Sequence, residues 1–114
     1  MKALFIVLNE GDKLDSVATS LRNAGFYSGT VIDGQGMYSN YAKLGSDPLA
    51  TRSLLMMLSQ GRPLNKIIFL IIEDEKLEAA KAAVRKVIGD FTKDHVGIMF
   101  ALPVSDVEGL THLD

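Results

Sequence analysis

Two short, continuous apolar runs limit what this chain can fold into more than any other feature of its sequence. The runs span residues 4–8 and 67–72, and each is followed by acidic residues and then by an amphipathic stretch. A continuous apolar run of this length is typical of a buried strand. The repeated order of run, acidic turn and amphipathic stretch therefore predicts two strand–helix units of the same kind.

The two amphipathic stretches have the 3.6-residue period of helices that cover a sheet. Their apolar sides are Leu14, Val17, Ala18 and Leu21 in the first, and Leu77, Ala80, Val84, Val87 and Ile88 in the second. Asp12 is the predicted N-cap of the first helix, and acidic residues 73–75 are predicted to cap the second. Gly25 is predicted to end the first helix in the left-handed conformation.

Two further strands are predicted, near residues 28–33 and 96–104, and an insertion separates the second strand from the third. Within it, Asp47-Pro48 is typical of a helix start and Gly61 of a helix end, so residues 49–58 are predicted to form a short helix. The resulting order predicts an α+β fold, the ferredoxin-like βαββαβ sandwich, with an antiparallel four-stranded sheet and two helices on one face. We expect one domain over residues 1–114, with the insertion at about 37–62 and a C-terminal tail at about 105–114.

Two helices can cover only one face of such a sheet, yet both central strands are apolar at odd and even positions. The other face would expose either Phe5 and Val7 or Leu4, Ile6 and Leu8, together with a matching row from the third strand. An exposed apolar patch of this kind marks an interface. We therefore expect a homo-oligomer that packs sheet against sheet.

Several short motifs resemble, in their order and spacing, those of the nitrogen-regulatory PII family and its PII-like relatives. They are Lys2-Ala3-Leu4-Phe5-Ile6-Val7, Lys13-Leu14-Asp15-Ser16-Val17, Gly25-Phe26, Gly34-Gln35-Gly36-Met37, Leu64-Asn65-Lys66-Ile67 and Phe100-Ala101-Leu102-Pro103-Val104. The fourth resembles the Gly-x-Gly-Phe that opens the family's long T-loop, and the last is similar to the Phe-Val-x-Pro-Val of its final strand. The correspondence extends over most of the chain at the level of pattern.

The resemblance implies a non-enzymatic signal-transduction protein, of the kind that serves nitrogen regulation, that forms a homotrimer. It implies a small-molecule ligand in the clefts between subunits: an adenine nucleotide, sometimes with 2-oxoglutarate, or a cyclic dinucleotide as in some relatives. The T-loop would contact a regulated protein partner. The ligand-binding residues implied are Gly34, Gln35, Gly36, Met37, Tyr38, Lys93 and Gly97. The partner-binding residues implied are Tyr38, Tyr41, Arg52, Met56 and Met57.

Four features depart from the family pattern. The family's phosphate-binding Gly-Asp-Gly-Lys reads His95-Val96-Gly97-Ile98 here, and its arginine pair beyond the last strand falls near Gly109 and Thr111. A triphosphate would lose charge-assisted contacts without those cations. The insertion is also shorter and more helical than a full T-loop, and neither Tyr38 nor Tyr41 can be assigned as the family's modified tyrosine.

The sequence allows two interpretations of the glycine pair that follows the second strand. Gly34-Gln35-Gly36 can present backbone N–H groups to an anion or a purine. Alternatively, the two glycines mark a β-bulge or a tight turn at a strand end.

Composition narrows the function classes. The chain has 114 residues, a net charge of −2 and no cysteine, so it offers no basic surface for nucleic acid and no thiolate or disulfide. No apolar stretch reaches membrane-spanning length, and we expect a cytoplasmic protein without membrane insertion. His95 and His112 are the only histidines and lack a ligand spacing, so no metal site is expected.

No pair of nucleophile and base is identified by spacing, and no catalytic residue is assigned. Acylphosphatase-type enzymes of the same topology hold phosphate with an arginine in the first strand–helix loop. Residues 9–12 form that loop here, and they are acidic and lack arginine. Two alternatives remain open: a CutA-like cation-tolerance trimer or other ferredoxin-like interaction module, and a small ferredoxin-like enzyme.

Overall fold

The structure, a computed structural model, describes residues 1–35, 64–92 and 96–110, with only the backbone of Leu64. Its elements are β1 (Lys2–Leu8), a 3-10 turn (Gly11–Lys13), α1 (Leu14–Asn23), β2 (Thr30–Gln35), β3 (Leu64–Ile72), a second 3-10 turn (Asp74–Lys76), α2 (Leu77–Ile88) and β4 (Gly97–Pro103). The strands form one antiparallel sheet in the order β2-β3-β1-β4. This is the predicted ferredoxin-like α+β fold, with the first and third strands at its centre. The helix predicted at 49–58 lies outside the described residues.

Both helices pack on one face of the sheet, and the hydrophobic core lies between the two layers. Its buried residues are Leu4, Ile6, Leu8, Val17, Leu21, Phe26, Ile68, Leu70, Ile72, Ala80, Ala83 and Val84. Even-numbered positions of β1 therefore face the helices, because side chains alternate along a strand. The two helices also meet directly, since the Ser20 hydroxyl donates a hydrogen bond of 2.7 Å to the carbonyl oxygen of Ala83.

Neither α1 nor α2, the two helices in the described part of the chain, covers the opposite face of the sheet, and we call it the open face. It consists of Ala3, Phe5, Val7, Thr30, Ile32, Gly34, Asn65, Ile67, Phe69, Ile71, Ile98, Phe100 and Leu102. Of the two sets that the sequence allowed on this face, the structure has the one with Phe5 and Val7. None of these residues is charged, and the charged residues of the sheet, Lys2, Asp33 and Lys66, all lie on the helix side.

Three phenylalanines form a stacked row across the open face. Phe5 on β1 stacks on Phe69 of β3, with ring centroids 5.6 Å apart, and on Phe100 of β4, with centroids 5.1 Å apart. Offset stacking of this kind contributes about 0.5–1.5 kcal/mol per pair beyond area burial. Phe100 and its neighbours Ile98 and Leu102 remain exposed. The row therefore presents an ordered aromatic surface to the outside.

Gly25 ends α1 as the sequence predicted. Its φ is +99°, and its N–H donates to the carbonyl of Arg22 while that of Phe26 donates to the carbonyl of Leu21. These two bonds are the Schellman motif, and Phe26 and Leu21, the two positions that it brings together, are both buried in the hydrophobic core. The glycine thereby sets the chain direction from α1 towards β2.

Replacing Gly25 with alanine should lower the free energy of unfolding by about 1–2 kcal/mol, because a Cβ is disfavoured at positive φ. A Cβ at this position would contact nothing within 4 Å, so backbone conformation is the sole cause. Gly25→Asn should cost less, since asparagine tolerates this conformation. Urea unfolding of both variants measures the difference, and equal losses for alanine and asparagine would contradict this explanation.

The predicted helix caps are wrong in detail. Each helix is preceded by a 3-10 turn, Asp12 lies inside the first of these turns, and no side chain caps either start by a hydrogen bond. Asp74 instead pairs with the α-amino group of Met1 at 2.9 Å. The acidic residues thus lie near helix starts, where the helix dipole favours them, without acting as hydrogen-bonding caps.

Candidate functional site

Four strand ends meet at one end of the sheet, which we call the Leu8 end. Leu8, the last residue of β1, lies opposite Lys66 and Gly97, and Gln35, the last residue of β2, lies opposite Leu64. Gly34, Gln35 and Gly97 of the implied ligand set are therefore at the same end. The other implied residues lie outside the described part of the chain: Gly36, Met37, Tyr38, Tyr41, Arg52, Met56, Met57 and Lys93, and likewise His95 and His112.

The described ligand residues lie on opposite edges of the sheet. Gly34 and Gln35 belong to β2 and Gly97 to β4, and both central strands lie between them. At the usual strand spacing this separation is about 14 Å. Within one chain the structure therefore does not join these residues in a single pocket.

Gly34 lies within strand β2, paired with Asn65, rather than in the loop that the sequence predicted. A Cβ on Gly34 would lie 3.0 Å from the terminal methyl of Ile67 and would overlap the side-chain oxygen of Asn65. Close cross-strand packing therefore accounts for this glycine. The bulge or turn reading does not describe it either, because its register with β3 is regular.

Asn65 is a polar residue of the Leu64-Asn65-Lys66-Ile67 motif for which the sequence predicted no role of its own. Its Oδ1 atom is buried and has no hydrogen-bond partner among the residues that the structure describes. A buried acceptor without a donor costs about 1–3 kcal/mol. The signal was present in the sequence, because Asn65 is a polar position two residues before Ile67 in an otherwise apolar alternate row. Its importance depends on the register with Gly34, which the sequence alone does not give.

A glycine is required at position 97, where β4 begins and its backbone comes close to β1. The φ of Gly97 is +141°, and a Cβ there would lie 3.2 Å from the carbonyl carbon of Val7 and would overlap the attached oxygen. The preceding residue, Val96, accepts a hydrogen bond of 3.4 Å from the N–H of Asn9. This packing is sufficient reason for a glycine, independent of any ligand.

The cation closest in register to Gly34 is already paired. Lys66 forms an ion pair with Asp33 on the helix side of the β2–β3 ladder. The aliphatic part of the Lys66 side chain also lies beside Gly11: a Cβ added to Gly11 would be 3.4 Å from Lys66 Cγ. An anion bound at the Leu8 end would have to compete with Asp33 for this lysine.

An ion pair with a shifted pKa lies at the opposite end of the sheet from Leu8. The hydrogen bond from the α-amino group of Met1 lowers the pKa of the Asp74 carboxyl, and the positive charge of Lys2 lowers this pKa by a smaller amount. A depressed folded-state pKa stabilises the fold above the unfolded value, and that contribution is lost as the pH falls through the folded value. This pair has no part in the Leu8 end.

Two further properties of the described residues concern metal binding and membrane spanning. In residues 1–35, 64–92 and 96–110 no three His, Asp or Glu side chains are grouped so that they could share a metal ion. The helices in the same ranges are too short or too polar to span a membrane.

Comparison with known proteins assigns no family. Neither the protein-family models nor the curated proteins include a match to this chain. The motifs that resemble the PII family therefore support a proposal about function, and the fold is established independently of them.

Proposed function

We propose that this protein is a non-enzymatic regulatory protein that forms a homotrimer and binds a small metabolite or nucleotide between its subunits. The segment that follows β2 carries the signal to a partner protein. The open face is the observation that carries this proposal, because an apolar face that the described helices leave uncovered is a strong reason for a chain to associate with copies of itself. The PII-like motifs supply the number of subunits and the nucleotide class of ligand.

The size of the open face supports association. Four strands about 4.8 Å apart and five residues along each strand give a footprint of roughly 300–350 Å². Contiguous apolar patches of a few hundred Å² are the size that marks interaction sites. Several of its residues are exposed in the single chain, among them Ile98 at 55% and Phe100 at 40%. Covering them would gain about 25 cal/mol for each Å² of apolar surface removed from water.

The placement of the implied ligand residues supports a site between subunits. Gly34 and Gln35 lie on one edge of the sheet and Gly97 on the other, at the same end. We therefore place the ligand where the β2 edge of one copy meets the β4 edge of another. A cleft of this kind exists only in the assembly.

The proposal predicts saturable binding of a nucleotide that weakens when Gln35 becomes negatively charged. Gln35→Glu should reduce the affinity for an anionic ligand about tenfold, since a like charge a few ångströms away costs about 1 kcal/mol or more. Asn23→Asp is the matched control, because it adds the same charge at the exposed end of α1. Thermal-shift screening of adenine nucleotides and cyclic dinucleotides identifies a ligand, and titration calorimetry then measures the two variants.

If no member of that panel stabilises the protein, the nucleotide-sensor proposal is contradicted. Equal losses of affinity in the Gln35 and Asn23 variants would place the ligand away from the end of β2. Native mass spectrometry of the protein purified from its host adds a panel-independent check, because a co-purifying metabolite changes the measured mass.

A second candidate is an interaction module of the same fold that assembles without a nucleotide. The Lys66–Asp33 ion pair favours it, because that lysine is already neutralised. A CutA-like trimer belongs to this class. Metal titration separates the two candidates: stoichiometric metal binding that is lost on replacing His95 or His112 would favour the module.

A further inference from the structure

Asn65 is a polar residue of the open face and lies at its Leu8 end, on the central strand β3. It lies two residues before Ile67 and on the same face of the sheet, and it is paired with Gly34 on β2. The other open-face side chains of β1, β3 and β4 are all apolar. Because Gly34 has no Cβ, the amide of Asn65 can lie over it. The two residues together form a polar notch at the Leu8 end of the apolar rows.

The apolar rows alone are smaller than a stable interface, so an interface on the open face is expected to include this notch. Specific interfaces bury roughly 800 Å² per partner, which is more than twice the footprint of the apolar rows estimated above. A second copy seated on the open face must therefore extend past its last apolar row. At the Leu8 end, the next residues along β2 and β3 are Gly34 and Asn65.

The chemistry of the face fits a second copy of this chain. With no charged residue on the open face, two copies do not repel each other there. An amide carries both donors and an acceptor, so the same group can be satisfied by an identical chain. A single asparagine buried in an apolar interface fixes register and oligomeric state at a cost in affinity.

We infer that Asn65 is the contact that sets how copies of this chain align on the open face. Its Oδ1, which has no donor among the described residues, turns on association to accept a hydrogen bond from the neighbouring copy. A misaligned copy would leave this acceptor against apolar side chains. The inference rests on the proposed self-association and identifies the residue that makes it specific.

The test compares Asn65→Leu with the matched change Asn23→Leu on the outer surface of α1. Asn65→Leu should tighten association about tenfold and produce more than one assembly, because the apolar contact remains while the register is no longer fixed. Asn23→Leu should leave both properties as in the original protein. Sedimentation equilibrium measures the association constants, and native mass spectrometry counts the assemblies.

The outcomes separate this inference from the proposed function. If the unmodified protein assembles and Asn65→Leu gives the same single assembly with equal or weaker affinity, Asn65 does not set the alignment and the proposed function stands. If the unmodified protein is monomeric throughout, the proposed trimer and this inference both fail. If Asn23→Leu also produces more than one assembly, the effect comes from adding an apolar side chain to the surface, and the proposed role of Asn65 is overturned.

Discussion

Gly97→Ala is expected to lower the free energy of unfolding by about 3–5 kcal/mol, a large share of the 5–15 kcal/mol typical of a domain. Two costs add. A residue with a Cβ is disfavoured at a φ of +141°, and the new atom overlaps the carbonyl oxygen of Val7. That oxygen belongs to the backbone of the central strand, so the obstruction cannot be removed by a side-chain rotation. Urea unfolding followed by circular dichroism measures the loss.

Gly11→Ala is the control for this prediction. Gly11 also lies at the Leu8 end, but a Cβ there would make an ordinary contact of 3.4 Å with Lys66. Its effect should stay within about 1 kcal/mol, because Gly→Ala at a compatible position chiefly restricts the unfolded chain. If Gly97→Ala is as well tolerated as Gly11→Ala, β4 does not enter the sheet in the register described above.

Ile32→Glu is expected to dissociate the assembly, while Val31→Glu leaves it intact. These neighbours on β2 are similarly exposed in the single chain, Ile32 at 44% and Val31 at 50%, but Ile32 lies on the open face and Val31 on the helix side. An unpaired charge buried in an interface costs several kcal/mol. The dissociation constant of Ile32→Glu should therefore rise at least about a hundredfold.

The matched exposure of the two residues makes the comparison specific. Both substitutions place a glutamate on the same edge strand, so their effects on the folding of one chain should be similar. Unfolding curves of the two variants at low concentration check this. Equal oligomeric states for Ile32→Glu and Val31→Glu would show that the open face is not the contact surface.

The central part of the fold followed from the sequence because its signals are local and strong. The apolar runs at 4–8 and 67–72 became the central strands, and the Gly25-Phe26 pair became a helix end with the predicted geometry. The helix starts were less predictable. Acidic residues are favoured throughout the first turn of a helix, so Asp12 alone did not distinguish an N-cap from a position within a 3-10 turn.

The candidate site depended on pairing that the sequence does not specify. The second strand was predicted near 28–33 and is Thr30–Gln35, because its end is set by pairing with the start of β3. That shift moved Gly34 from a loop into the ladder and placed it against Asn65. The sequence alone does not distinguish a glycine that leaves room for a ligand from one that leaves room for a side chain on the neighbouring strand.

Self-association through the open face is the central claim, and the mass of the protein in solution tests it most directly. Sedimentation equilibrium over a concentration series reaching the micromolar range should give one species of three times 12.4 kDa for the unmodified protein. It should give the single-chain mass for Ile32→Glu and the assembled mass for Val31→Glu. A mass of 12.4 kDa for the unmodified protein at every concentration would contradict the account.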